Sequence, residues 1–231
     1  MSSHIYYESE NCKRAGQTLK KLRPGDVLLC KSRTQPPTYE DDKIQHLIHK
    51  ASGSLYFHAG IFIGDDRVLE MGHKDGAEIT ELKDFLFNCH FCFVSRNEMF
   101  WVNGAVDKLD DYADEVVNES VEYDLMLAYR MLKNSGAKLP WKVKLPILSL
   151  VPIIWLQHKV RPKKRMICSE LVAHSFHNAG LFSEDAAKLF NTDIMPHELV
   201  VDMAYGLPLG YISDVPSFKP DTEDELYHLM Y

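Results

Sequence analysis

The sequence has no run of about 20 apolar residues, so no membrane-spanning helix is expected. Its opening stretch, MSSHIYYESENCKRAG, lacks the apolar core of a secretory signal. The cytoplasm is therefore the default compartment, with peripheral membrane attachment or a non-Sec export route left open. Cysteine is scarce: five residues, an odd count without regular spacing. That argues against a disulfide framework and for reduced thiols. Twelve glycines and eleven prolines are too few for a collagenous or low-complexity chain. Internal repeats are absent. Positive charge is in deficit, with 26 Lys and Arg against 33 Asp and Glu, a net charge of −7. A general nucleic-acid binder is thereby disfavoured.

What remains is an ordinary globular composition: 231 residues, 45% hydrophobic and 26% charged. One domain suffices for that length. The boundaries expected are a polar lead-in over 1–20, a domain over 21–215 and an acidic, loose tail over 216–231. Charge is unevenly spread. Residues 138–165 hold six lysines, two arginines and no acid, so this stretch carries +8 and the remainder −15. Inside it, Leu145 to Leu156 is apolar and interrupted by Pro146 and Pro152, which rules out a continuous helix. Three readings of this insertion stand: a flap packed on the domain core, a lid facing lipid or an acyl chain with basic flanks for anionic headgroups, and a protein-partner patch.

Periodicity places strands mainly in the first half and helices in the second, an α+β order. Arg23-Pro-Gly-Asp turns into a strand ending at Cys30. Phe57–Ile63 and Arg67–Met71 form a hairpin, Glu78–Thr80 a short strand and Cys89–Ser95 another strand. Helical spacing marks Asp41–Ser52, Glu81–Phe87, Val106–Glu119, Leu125–Lys133, Cys168–Ala179 and Pro196–Tyr205.

Cys168 opens one of these helices, where free N–H groups and the helix dipole favour a thiolate. Lys163, Lys164 and Arg165 add positive charge just upstream. A buried structural cysteine is the competing reading. His58 occupies a strand position that would ordinarily be apolar, and shares its face with Gly60, whose small size leaves room for a substrate or a helix end. A solvent-facing histidine is the alternative. Hairpin parity tests Glu70 as the group that orients His58. A three-residue loop over Gly64–Asp66 pairs Ile63 with Arg67 and Gly60 with Glu70, making Glu70 and His58 diagonal neighbours on one face. A two-residue loop of Asp65 and Asp66 would put them on opposite faces.

Leu22–Leu29, Phe57–Met71 and Cys168–Val172 together resemble the circularly permuted NlpC-type papain-like cysteine hydrolases. The match is to the permuted amidase-like branch, related to the lecithin retinol acyltransferase group. Glu78–Leu86, Glu122–Asp124 and Pro196–Val200 extend the resemblance over most of 19–205. It implies a permuted papain-like core, a small antiparallel sheet or barrel packed against helices. It also implies Cys168 as nucleophile, His58 as base and Glu70 as the third polar residue. Tyr123 corresponds to a site tyrosine of that family, beside its plain reading as a helix-start residue. Gly60 and Trp155 complete the expected substrate contacts. The expected activity is cleavage of an amide bond (peptide, cell-wall peptide or N-acyl) through a thioester. Lipid acyl hydrolysis or transfer, or an idle ligand-binding module, are the alternatives.

Competing constellations are weaker. Cys89 and Cys92 have the spacing of zinc ligands or a redox pair. On one extended strand, however, they would point to opposite faces, so neither metal nor cofactor is expected. His46 and His49 could share a helix face but lack an acidic third ligand. Asp65-Asp66 and Asp110-Asp111 read as turn and surface charge. His174 and His177 lie roughly 9–13 Å along the helix from Cys168, too far to act as its base.

Overall fold

The computed structural model describes residues 4–10, 21–32, 53–72, 75–102, 104–124, 127, 164–183, 194–201, 204–215 and 217–231. Among the described residues nine strands form two sheets. The strands are β1 (Ile5–Glu8), β2 (Val27–Lys31), β3 (Tyr56–Gly64), β4 (Arg67–Gly72), β5 (Gly76–Glu81), β6 (Phe91–Arg96), β7 (Glu122–Tyr123), β8 (Arg165–Met166) and β9 (Leu207–Ser213). Seven make an antiparallel sheet in the order β1-β9-β6-β2-β3-β4-β5, and β7 pairs with β8 in parallel. The helices used below are α1 (Leu82–Phe87), α2 (Ala105–Asn118), α3 (Cys168–Asn178) and α4 (Glu198–Val201). The fold is therefore α+β, with a larger sheet than the sequence suggested. Among the described residues no helix is long and apolar enough to cross a membrane.

The central strands are covered on both sides, which explains why they read as continuous apolar runs. All five residues of β2 are buried. Val27 and Leu29 join a core with Ile61, Leu69, Leu109, Leu171, Val172 and Phe176. Leu28 and Cys30 join the opposite core with Phe62, Val68, Leu82, Phe85, Cys89 and Cys92. Helix α2 earns its place by spacing: Ala105, Leu109, Tyr112, Ala113 and Val116 are buried along one stripe. The buried Arg96 at the end of β6 is paired, its guanidinium donating to both carboxylate oxygens of Asp26 at 2.6 Å.

Both chain ends depart from expectation. The lead-in is not merely polar, because Ile5–Glu8 pairs with β9 at the sheet edge. Strand β9 itself carries little alternation to announce it. At Gly210 a Cβ would come within 1.9 Å of the Tyr7 carbonyl, so the two backbones meet only because this residue is glycine. Nor is the acidic tail loose. Lys31 and Asp224 form a buried ion pair, and the Tyr56 and Tyr211 hydroxyls each donate to Asp224 at 2.9 Å. Of the helix expected over Pro196–Tyr205, Glu198–Val201 is helical, Pro196, His197, Ala204 and Tyr205 lie in turns, and 202–203 lie outside the described residues. The expected helix at 41–52 lies outside the described residues, as does that at 125–133 apart from Leu127. So do Trp155 and the insertion up to 163.

Candidate functional site

The β3–β4 hairpin sets the geometry. Its loop is Asp65-Asp66, both left-handed at φ 50° and 55°, with Gly64 paired to Arg67. This is the two-residue turn, which alone would have placed Glu70 and His58 on opposite faces. A bulge between Phe62 and Gly64 takes up one residue and restores parity, so Gly60 pairs with Glu70. A second irregularity, at Phe57, brings Cys30 opposite His58 and Lys31 opposite Tyr56. Bulges re-aim side chains, and here one sits beside each end of the segment that carries His58.

The His58 Nε2 lies 2.7 Å from Glu70 Oε2, with the two side chains only 17% and 11% exposed. Thr80, on β5, donates its hydroxyl to the other oxygen, Glu70 Oε1, at 2.6 Å. The carboxylate is thus held from both sides. Nε2 being taken by Glu70, the Nδ1 edge of the ring is the one left for Cys168. Burial works against a charged His58, but hydrogen bonding and charge from Cys168 and Glu70 outweigh it and hold the imidazole well above its ordinary pKa. Burial acting alone would raise Glu70, yet the His58 and Thr80 hydrogen bonds leave it below its ordinary value. Glu78, the register partner of Glu70, is pushed up by burial and then by the charges of Glu70 and Asp75.

Cys168 is the first residue of α3 and is 2% exposed. The helix starts there because Ile167 is extended, at φ −96° and ψ 170°, and because its N–H donates to the Glu170 carboxylate at 3.1 Å. Ser169 fixes the same turn by donating to the Ile194 carbonyl. Parallel pairing of Tyr123 with Met166 brings β7 against the strand that feeds this helix. Tyr123 is partly buried among Leu127, Ile167 and Met195, and its register partner Met166 lies two residues before Cys168.

Sequence reasoning named His58, Glu70 and Cys168, and these three come together. Gly60 does not serve as substrate space. A Cβ there would stand 2.8 Å from both Phe85 and Val68, so the gap is filled by α1 packing on the sheet. Thr80 was missed; its signal was the register of β5 against β4, which needs the whole β4–β5 turn to be read. His174 and His177 lie along α3, and His177 is engaged with the Phe182 carbonyl at 3.2 Å.

Cys89 and Cys92 do not share one extended strand. Cys89 is not on the strand: it follows the Asn88 cap of α1, two residues before β6 begins at Phe91. Its thiol lies 2.6 Å from Cys30 Sγ, and Cys92 Sγ is 3.7 Å from each of the other two.

No protein-family model matches the chain, and no curated protein matches it. Among solved structures the chain is similar to the metalloprotein yiiX from Escherichia coli O157:H7, at 17% identity and a TM-score of 0.42, covering 84% of this chain and 89% of that one. The resemblance to the NlpC-type hydrolases drawn from the sequence is therefore withdrawn: the motif matches at 22–29, 57–71 and 168–172 are short, and no family model matches the chain.

Proposed function

We propose that the protein is a thiol-dependent hydrolase acting on an acyl bond, with Cys168 as nucleophile, His58 as base and Glu70 as the group that orients His58. The observation that carries this reading is the state of His58, which is bonded at one nitrogen to a buried carboxylate and interacts with a helix-start thiol. The order His58, Glu70, Cys168 along the chain, on an antiparallel sheet and a cysteine-headed helix, supports a permuted papain-like core as the finer description of the fold.

His58 accepts the Cys168 proton through Nδ1, and Glu70 stabilises the imidazolium that results. The thiolate sulfur attacks the carbonyl carbon of an amide or ester. The oxyanion that forms is met by the Cys168 backbone N–H in the first turn of α3. His58 then gives its proton to the leaving amine or alcohol, and a thioester on Cys168 remains. Water, activated by the same imidazole, attacks the thioester and releases the acid. An amide substrate is the reading preferred, because an amine leaves only when protonated and His58, held by Glu70, carries a proton to give it.

The test is turnover on a panel of peptide, N-acyl and ester substrates by product mass spectrometry, with the Cys168→Ala variant as comparison. Turnover by the native protein that falls by several orders of magnitude in the variant supports the reading. Equal turnover by both would sink it.

A further inference from the structure

The three thiols of Cys30, Cys89 and Cys92 take no part in the chemistry assigned to Cys168, and their ligand atoms all fall within 4.8 Å of one another. They come from three places in the fold: β2, the turn after α1, and β6. Cys30 and Cys92 are register partners on neighbouring strands, and Cys89 reaches them from the turn. All three are 0–1% exposed. From this convergence we infer that Cys30, Cys89 and Cys92 form a binding site for a thiophilic d10 metal cation, Zn²⁺ or Cu⁺ in class.

Three arguments support this assignment. Thiolate ligands select soft cations of this kind, while oxygen-seeking Mg²⁺ and Ca²⁺ have no donor set here. A metal–sulfur bond of about 2.3 Å at a tetrahedral centre puts sulfurs about 3.8 Å apart. Two of the three edges, at 3.7 Å, already have that length. The third, at 2.6 Å, opens by about 1 Å on metal binding. That movement falls on Cys89, which sits in a turn and not in a ladder, and whose Sγ also contacts the Phe85 carbonyl at 3.1 Å. Convergence of a third thiol is what a metal uses and a disulfide does not.

The site would tie α1 and the start of β6 to β2, the strand next to the one that carries His58, since Cys30 is the register partner of His58. Its existence does not depend on the hydrolase reading, because none of its ligands takes part in the proposed reaction. The ligands must lose protons to bind, so uptake releases protons and weakens toward acid pH.

The experiment uses the full-length protein, unfolded and reduced under chelator, then refolded with Zn²⁺ or Cu⁺ in separate arms. Metal content is read by elemental analysis and native mass spectrometry. The expected result is one ion per chain in at least one arm, with the Cys30, Cys89 and Cys92 peptides better protected from alkylation than in protein refolded without metal. Co²⁺ refolded in the same way should show a thiolate-to-metal charge-transfer band. Cys89→Ser and Cys92→Ser should each lose the ion and the band, while Cys168→Ala keeps both. The metal content of the native protein needs no variant, so a variant that fails to fold does not remove the test. Absence of an ion in both arms overturns the inference. So does an ion that persists in both serine variants, or a native mass two hydrogens low from a Cys30–Cys89 disulfide.

Discussion

Replacing the Glu70 carboxylate by the isosteric amide is the perturbation whose consequence can be worked furthest. Glu70 accepts from Thr80 Oγ1 at 2.6 Å and faces His58 Nε2 at 2.7 Å, and both partners of the pair are largely buried. Screening by solvent is therefore small. A hydrogen bond to a charged group contributes about 1.5–3 kcal/mol, against about 0.5–1.5 kcal/mol for a neutral one. Glu70→Gln thus removes roughly 1–1.5 kcal/mol of preference for the imidazolium, or about one pKa unit at His58. Cys168 also raises His58, so the titration is best done without it. The assay is an NMR titration of the His58 ring nitrogens in Cys168→Ala and in Cys168→Ala with Glu70→Gln. The second protein should titrate about one unit lower. An unchanged His58 titration would refute the claim that Glu70 holds the charge. The sign carries into stability. His58 is raised on folding, so its contribution is complete below the unfolded value of about 6.5 and is lost as pH rises through the folded value. Glu70 is lowered on folding, so its contribution is present above about 4.3 and fades as pH falls through its folded value. The native protein should therefore lose stability on the alkaline side, and Glu70→Gln should lose less of it there.

Two further outcomes test the packing that positions the site. Gly60→Ala puts a methyl 2.8 Å from Phe85 and Val68, so it should cost about 1–3 kcal/mol by overpacking. A denaturant midpoint unchanged from the native protein would show that α1 moves aside freely. Asp224→Ala leaves Lys31 buried without its carboxylate, a loss of about 3–5 kcal/mol. Its melting temperature should fall well below that of a surface control such as Asp221→Ala, and equality of the two would contradict the buried pair.

The parts of the fold legible in sequence are those with local signals. Phe57–Ile63 and Arg67–Met71 carried enough branched and aromatic residues to be read as a hairpin, and α2 and α3 had clean apolar stripes. The His58–Glu70 pairing was also correct in outcome, though for an incomplete reason. Parity predicted it from a three-residue loop, whereas the chain uses a two-residue turn with a bulge at Ile63. A bulge has no composition of its own that a single sequence displays. Thr80 and the three clustered cysteines were illegible for a related reason. Their meeting depends on strand order and on where α1 ends, and Cys89 two residues earlier than β6 behaves differently from Cys89 on it. The chain ends failed because β1 pairs with β9 and Asp224 pairs with Lys31 on β2, the latter across 193 residues, and no local pattern encodes such contacts.

Dependence of Cys168 acylation on His58 tests the central claim most directly. The native protein and His58→Ala are mixed with an activated acyl probe near neutral pH, and the rate of thioester formation on the Cys168 peptide is followed by mass spectrometry. The account predicts one acyl group, on Cys168, formed about 10²–10⁴ times more slowly without His58. Equal rates in the two proteins, or acyl groups spread over the other cysteines, would contradict it.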